Sequence, residues 1–384
     1  MAIVKFDDVV VRANTKEDRF NTERLYYVGG EHIESNEVTI QNRGLIEGST
    51  IGPMFYFGFK AGQVLFVTRN PHLRKAGWVD FDGICSEKTF VLETKDENVL
   101  CQRFLPFILQ SDHFWDYCEA NKSGSVNFFV NWSTLAKYEF ELPDIETQRK
   151  LAEVLWAMER TKQAYKTLIS ATDELVKSQF IEMFGNPLTN DKKWNTMKMK
   201  EVAPSTSYSG AVSECDDGYW LLNLDMIESN TGRIISKVFV PKEEIGQSTT
   251  SFSSEYVLFS KLRPYLNKVV IPDAAGYATT ELVTLLPNKQ HLTQVFLSYL
   301  LRSDEFLKYI SSQVSGTKMP RVTMSVFWNF DVILPPVELQ EQFATFVQQT
   351  DKSKFAVHLT GSNLNLSIAL VYPDPMFSAG GSPL

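Results

Sequence analysis

The sequence is short of nearly every feature that would announce chemistry of its own. It has four cysteines, Cys85, Cys101, Cys118 and Cys215, far apart and without a CxxC pair, and five scattered histidines. That pattern signals neither a zinc site nor a disulfide framework, so reduced, structural thiols are expected. No run approaches the roughly 18 uninterrupted apolar residues of a membrane span. Met1-Ala2-Ile3-Val4-Lys5-Phe6-Asp7-Asp8 lacks a basic stretch leading into an apolar one, which predicts a cytoplasmic protein without a membrane partner. Positive charge is also scarce: 38 Lys and Arg stand against 46 Asp and Glu, a net charge of −8 and a pI near 5.3. Such a chain does not coat nucleic acid unaided, because neutralisation of phosphates by Lys and Arg supplies most of that affinity. Binding to DNA would need local basic clusters, or partners that share the electrostatics.

What is present is the composition of a globular protein, 43% hydrophobic, 22% charged and 12% aromatic, the aromatic share leaning toward binding by stacking and packing. A chain of 384 residues exceeds one comfortable core and predicts two domains, or three. It also repeats itself. Val64-Leu65-Phe66 returns as Val257-Leu258-Phe259, and Arg69-Asn70-Pro71-His72-Leu73 returns, one residue shorter, as Arg263-Pro264-Tyr265-Leu266. Ser86-Glu87 matches Thr280-Glu281; further on, Phe104-Leu105 matches Phe296-Leu297, Ser111-Asp112 matches Ser303-Asp304, and Ser123-Gly124-Ser125 matches Ser315-Gly316-Thr317. Leu142-Pro143 and Leu334-Pro335 each lead into Glu-x-Gln, at Glu146-Thr147-Gln148 and Glu338-Leu339-Gln340. Chance does not keep that register, and the reading is duplication.

Within each copy, Gln63–Val67, Lys88–Leu92, Tyr256–Phe259 and Leu282–Leu286 have the β-branched and aromatic content of strands. Gln102–Tyr117 and Thr293–Ser312 carry apolar residues at helical spacing. Strands mixed irregularly with one helical segment predict an α/β (α+β) fold, a sheet packed on helices without regular alternation. After the first copy, Leu151, Val154, Leu155, Met158, Tyr165, Leu168, Ile169, Leu175, Val176 and Phe180 recur every three or four residues. Thr161, Lys162 and Thr172 are the weak points of that seam. The spacing predicts one long helix, entered after Pro143 and ended by Gly185-Asn186-Pro187. A narrow seam of that length asks for a partner helix. The counterpart begins with Phe343, Phe346 and Val347, but the pattern is lost after Val357, where Gly361, Pro373, Pro375 and Gly380-Gly381 cannot continue a helix.

Two globular units, each followed by a Leu-Pro…Glu-x-Gln helix start, with a long central helix ending at Met183-Phe184-Gly185-Asn186-Pro187, resemble the specificity subunit of type I restriction-modification complexes. The resemblance runs to about Val357. It implies target recognition domains at 1–143 and 186–335, spacer helices at 144–185 and 336–357 that pair as an antiparallel coiled coil, and an irregular tail at 358–384. It also implies double-stranded DNA as ligand, each domain reading one half of an asymmetric bipartite site. Two methyltransferase subunits would dock on the scaffold and methylate adenine with S-adenosylmethionine, and a restriction and translocation subunit using ATP and Mg would join them. The chain itself would hold no cofactor, no metal and no catalytic residue; no Asn/Asp-Pro-Pro-aromatic methylation motif occurs in it.

Basic clusters sit at matching places in the two copies. Arg69, His72, Arg74 and Lys75 form one acid-free run, and Lys261, Arg263, Tyr265, Asn267 and Lys268 form the other. Arg and Asn suit bidentate contacts with base edges, which directs attention to Arg69, Arg74, Arg263 and Asn267, whereas Lys more often holds phosphate. A second pair of loops carries Lys122, Ser123, Ser125 and Asn127 in one copy and Thr317, Lys318 and Arg321 in the other, with small residues that let backbone N–H groups approach phosphate. Two other classes stand beside this reading. A nuclease would use Asp80 or Asp82 with Glu93 and Lys95 around a metal, although the second copy has Thr284-Leu285-Leu286 near that place. A protein-interaction scaffold would suit the net acidity, against the matched basic loops.

Overall fold

The computed structural model describes residues 2–212, 218–315 (backbone alone at 315) and 319–352. Cys215, Thr317, Lys318 and the expected tail at 358–384 lie outside the described residues. The chain forms two compact units, Met1–Lys166 and Thr167–Val357, and the division falls inside the long helix Ile145–Phe184 rather than at its ends.

The first unit holds two four-stranded sheets. One is wholly antiparallel, in the order Val10–Ala13, Thr89–Thr94, Val64–Val67, Ala76–Trp78. The other runs Gly44–Leu45, Tyr26–Val28, Gly83–Ser86, Phe55–Phe59, and in it Tyr26–Val28 lies parallel to Gly83–Ser86. A short ladder pairs Ala2–Lys5 with Glu139–Leu142, bringing the start of the unit beside the start of the helix. In the second unit, Val238–Val240, Tyr219–Leu222, Gly276–Ala278 and Thr250–Phe252 repeat the mixed sheet strand for strand, its parallel pair included. Leu282–Leu285, Val257–Ser260 and Val269–Val270 repeat the antiparallel one, with a single Ser205–Leu285 bridge where the first unit has a fourth strand. Asn195–Lys198 pairs with Asp331–Leu334 as the short ladder. The duplication therefore extends to topology, and the α+β expectation holds.

The segments expected as single helices are each two. Leu105–Leu109 is followed by Asp112–Ala120, and Gln294–Arg302 by Asp304–Ser311. The break comes at Ser111 and Ser303, whose hydroxyls accept from the Phe114 and Phe306 amides: a serine that satisfies an orphan N–H starts a new helix there. Apolar spacing continues across both breaks, which is why periodicity alone reads one helix.

The long helix has 40 residues, about 60 Å at 1.5 Å per residue. Asp144 caps its start, accepting from the Thr147 amide at 2.9 Å and the Thr147 hydroxyl at 2.7 Å; those bonds hold the Asp144 carboxyl below its usual range. Gly185 ends it at φ +77°, where a Cβ would run into the Asp191 carboxylate. Its buried line follows the expected seam only in part. Leu155 and Trp156 enter the first unit's core with Phe6, Phe66, Phe104 and Tyr138, and Leu151 packs on that core. Val176, Phe180 and Phe184 enter the second unit's core with Phe296, Phe306, Phe343 and Val347, and Phe346 packs against it. Val154, Leu168 and Leu175, expected on the seam, are about half exposed. Lys162, expected as a flaw, is buried. The seam needs no foreign helix at either end, because each end is already covered by a globular unit. Contact with the second helix, residues 337–352, is made at Phe343, whose ring lies 5.5 Å from Phe180 and 5.4 Å from Phe184.

The repeated Glu-x-Gln also finds its reason. Gln148 and Gln340 are both 0% exposed. Gln148 accepts from the Cys101 amide at 3.0 Å and donates to the Val99 and Pro143 carbonyls; Gln340 accepts from the Thr293 amide at 2.8 Å and donates to the His291 and Pro335 carbonyls. Each glutamine rivets the first turn of its helix to the loop before the unit's helix pair. Gln148→Leu keeps the volume but leaves the buried Cys101 amide without its acceptor, at about 1–3 kcal/mol before relaxation, and the part-buried Val99 and Pro143 carbonyls without their donor. Urea unfolding of the first unit should shift by at least about 2 kcal/mol; a change under about 0.5 kcal/mol would make the rivet ornamental.

Candidate DNA interface

In each unit the two loop sets singled out from sequence are brought side by side. In the first, the hairpin Val64–Val67 and Ala76–Trp78 is joined through the 3-10 turn Pro71–Leu73, and Arg69 bridges to Phe129 while the Asn70 amide donates to the Phe128 carbonyl at 2.9 Å. In the second, Val257–Ser260 and Val269–Val270 are joined through Pro264–Leu266, Leu262 bridges to Arg321, and the Arg263 amide donates to the Pro320 carbonyl at 2.8 Å. The turns superpose in backbone conformation. Asn70 and Arg74 flank the first in the left-handed region, at φ 51° and 48°; Arg263 and Asn267 flank the second, both at φ 49°.

These geometries correct the residue pairing between copies. Arg263 stands in the place of Asn70, and Leu262 in that of Arg69, so no residue is missing from the second turn. Glu281, whose carbonyl accepts from the Lys261 amide at 3.1 Å, takes the place of Lys88, whose carbonyl accepts from Thr68 at 2.8 Å. Aligning the arginines and the Ser/Thr-Glu pairs by identity had shifted both segments by one.

Several candidate side chains are committed to partners within the protein, some of them while still exposed, as Arg321 is. Asn267, expected to read bases, is 7% exposed and donates to the Arg302 carbonyl at 3.1 Å; it is buried because its left-handed backbone tucks it against the end of Gln294–Arg302. Arg74, at the equivalent place, forms an ion pair with Asp112 and lies 3.8 Å from Asp116. Lys75 donates to the Gly30 carbonyl and Lys268 to the Leu224 carbonyl, each at 2.6 Å, the same tether in both units. Lys122 pairs with Glu119 at 2.6 Å and lies 4.4 Å from the Phe128 ring. Arg321 forms a two-pronged pair with Glu281, at 2.9 and 3.3 Å, and that partner raises its pKa. Ser123 pairs through its backbone with Phe129.

What remains at the surface is smaller. Arg69 donates to the Asn127 carbonyl at 3.2 Å and lies over the Phe129 ring at 5.0 Å, beside exposed His72, Ser125 and Asn127. In the second unit Arg263 and Tyr265 are exposed and Lys261 partly so, and among the described residues the Lys261 and Arg263 side chains have no partner. Sequence reasoning did not single out Arg43, exposed 4.2 Å from the Tyr26 ring and 4.5 Å from Phe81, nor Arg19, in a turn 4.2 Å from Phe20, itself 83% exposed. Arg43 stands far from Tyr26 and Phe81 in sequence, and only folding brings them together. The acidic residues of the nuclease reading do not converge. Asp82 accepts from the Ala61 amide and pairs with Arg24, Glu93 accepts from Gln63, and Lys95 is held by Asp7; among the described residues no cluster of three metal-ligating side chains forms.

A family model described as type I restriction modification DNA specificity domain matches this chain twice, at residues 5–171 and 191–363, one match for each copy. The chain belongs to that family. As a specificity subunit it recognises DNA and is not itself the catalyst. Residues of this chain are 27% identical over 167 positions to a putative type I specificity subunit of Mycoplasma pneumoniae, covering 42% of this chain and 52% of that one, about half the relative's length. The MjaIX specificity subunit of Methanocaldococcus jannaschii is 23% identical over 364 residues, covering 87% of this chain and 78% of the relative. The MjaVIII subunit of the same organism is 20% identical over 342 residues, covering 83% and 76%. The crystal structure of a type I restriction-modification S subunit from M. genitalium is 14% identical with a TM-score of 0.57 over 97% of this chain and 96% of that one, a likeness of fold. Among the described residues no helix is long and apolar enough to cross a membrane.

Proposed function

We propose that each unit reads one half of an asymmetric bipartite DNA site, and that the chain thereby directs adenine methylation, with cleavage where a nuclease partner joins, by subunits docked on it. The observation that carries this reading is the same loop pair built twice, with unlike side chains at or near the surface: partly exposed Arg69 with exposed His72 and Asn127 in one unit, partly exposed Lys261 with exposed Arg263 and Tyr265 in the other. Unlike side chains on like turns suit unlike half-sites, as half-site spacing in dimeric DNA-binding proteins follows from protein geometry. Two methyltransferase subunits would supply S-adenosylmethionine chemistry, and ATP and Mg would belong to the restriction and translocation subunit. With a net charge of −8 the chain leaves much phosphate contact to such partners.

The test is to express the chain with its methyltransferase subunits in an unmethylated host and map modified adenines by long-read sequencing. A two-part motif with unequal halves is expected, and Arg69→Ala and Arg263→Ala should each lower methylation about 10-fold or more, in line with the roughly 1–3 kcal/mol that one specific contact carries. A single contiguous motif would mean that only one unit reads. A stable complex that methylates nothing, and whose partner binding survives moderate salt, would favour the scaffold reading.

A further inference from the structure

His72 and Tyr265 stand at the same point of the same turn. The turn is built to hold still. Four of the eight non-glycine residues with positive φ in the described chain are its flanking positions, and two more, Asn36 and Asn230, form the strut beneath it, the Asn36 amide donating to the Arg74 carbonyl at 3.1 Å and the Asn230 amide to the Asn267 carbonyl at 3.3 Å. Pro71 and Pro264 are buried at its base. Backbone in this region is costly for side chains other than Gly and Asn, yet Arg74 and Arg263 adopt it, and such strain persists only where the surroundings over-determine it, typically at ligand clamps and functional sites. The flanking side chains Arg74, Lys75, Asn267 and Lys268 are committed to Asp112, Gly30, Arg302 and Leu224. The one planar polar ring left pointing outward is His72 in the first unit, exposed, and Tyr265 in the second, 53% exposed.

We propose that these two rings are further specificity-determining residues of the two units, each contacting base edges of its own half-site. The proposal rests on the DNA-recognition reading above. An imidazole presents two ring nitrogens and a phenol a single hydroxyl, so the same rigid turn asks different questions of the base pair it meets. Neither ring belongs to a core cluster, and exchanging them leaves the fold untouched.

The experiment uses the full-length chain with its methyltransferase subunits, carrying His72→Tyr or Tyr265→His, with methylated adenines mapped as before. Each exchange should alter or relax the bases accepted in one half-site only, with methylation at single-mismatch sites of that half rising on the order of 10-fold, the discrimination one base pair commonly carries. The other half-site, unchanged, reports that the protein is intact. An identical motif for wild type and both variants overturns the proposal. So does an equal fall of methylation at all sites without any change of motif, which would make the rings backbone contacts. A wild-type chain that yields no two-part motif would instead remove the recognition reading itself.

Discussion

Lys162→Met is expected to destabilise the first unit by about 3–5 kcal/mol, the usual consequence of stripping one partner from a buried ion pair. Lys162 lies 2.8 Å from Glu159, which is 1% exposed, and 3.1 Å from Glu37. Lys166 holds the other Glu37 oxygen at 2.7 Å, and Gln163 donates to Glu159 at 2.7 Å. Without the ammonium, Glu159 is left charged in a site closed to water. Burial alone would push Glu37 up and Lys162 down, but the opposite charges and their hydrogen bonds outweigh it: Glu37 is held below its ordinary 4.5 and Lys162 above its ordinary 10.5. The signs follow. A depressed Glu37 stabilises the fold above pH 4.5 and loses that contribution as pH falls through its lower folded value; a raised Lys162 stabilises below pH 10.5 and loses its contribution as pH climbs through its higher folded value. The network is therefore constant across neutral pH and weakens at the extremes, in acid through Glu37 and in strong base through Lys162. Urea unfolding of the intact chain, followed through the first unit's transition, measures the loss. Glu159→Met added to Lys162→Met should recover most of it, because an apolar pair of similar volume is close to neutral there. A single variant within about 1 kcal/mol of wild type would show that the buried charge finds water.

Phe180→Ala is expected to cost the second unit about 3–5 kcal/mol. The ring is 2% exposed and sits among Phe184 at 5.0 Å, Phe296 at 5.5 Å and Phe343 at 5.5 Å, so truncation opens a cavity bounded by three elements that cannot all collapse into it. Phe180→Leu should cost markedly less. Were Phe180 at the surface instead, alanine there would cost nearer 1 kcal/mol, and a measured value that low would take it out of this core.

The contrast marks what the sequence could tell. Duplication was legible because identical short strings recur in register, and so was the long helix, because Pro143, the polar-apolar spacing and Gly185-Asn186-Pro187 are local signals. Its burial was not legible. Leu155 and Phe180 face different cores, and a periodic pattern does not say what covers it. The loop sets were legible because basic and small residues cluster in the sequence, and the fold brings the two sets of each unit side by side. Individual side chains were not: Asn267 and Arg74 look alike as ligands for bases until the left-handed backbone turns one into the core and the other onto Asp112. Gln148 and Gln340 were visible as a repeated letter, but their purpose depends on carbonyls more than 40 residues away, at Val99 and His291.

The parallel strand pair in each mixed sheet sets an order of assembly. Tyr27 faces Ile84 and Leu221 faces Tyr277, closures of more than 50 residues, whereas the hairpins that carry the turns Pro71–Leu73 and Pro264–Leu266 join strands across fewer than ten. Closing a loop of that length costs roughly 2 kcal/mol more chain entropy than a tight hairpin before any contact repays it. Non-local pairings of this kind form late and limit the rate, so each turn is shaped by neighbours in sequence while the mixed sheet of its unit waits for its distant strand.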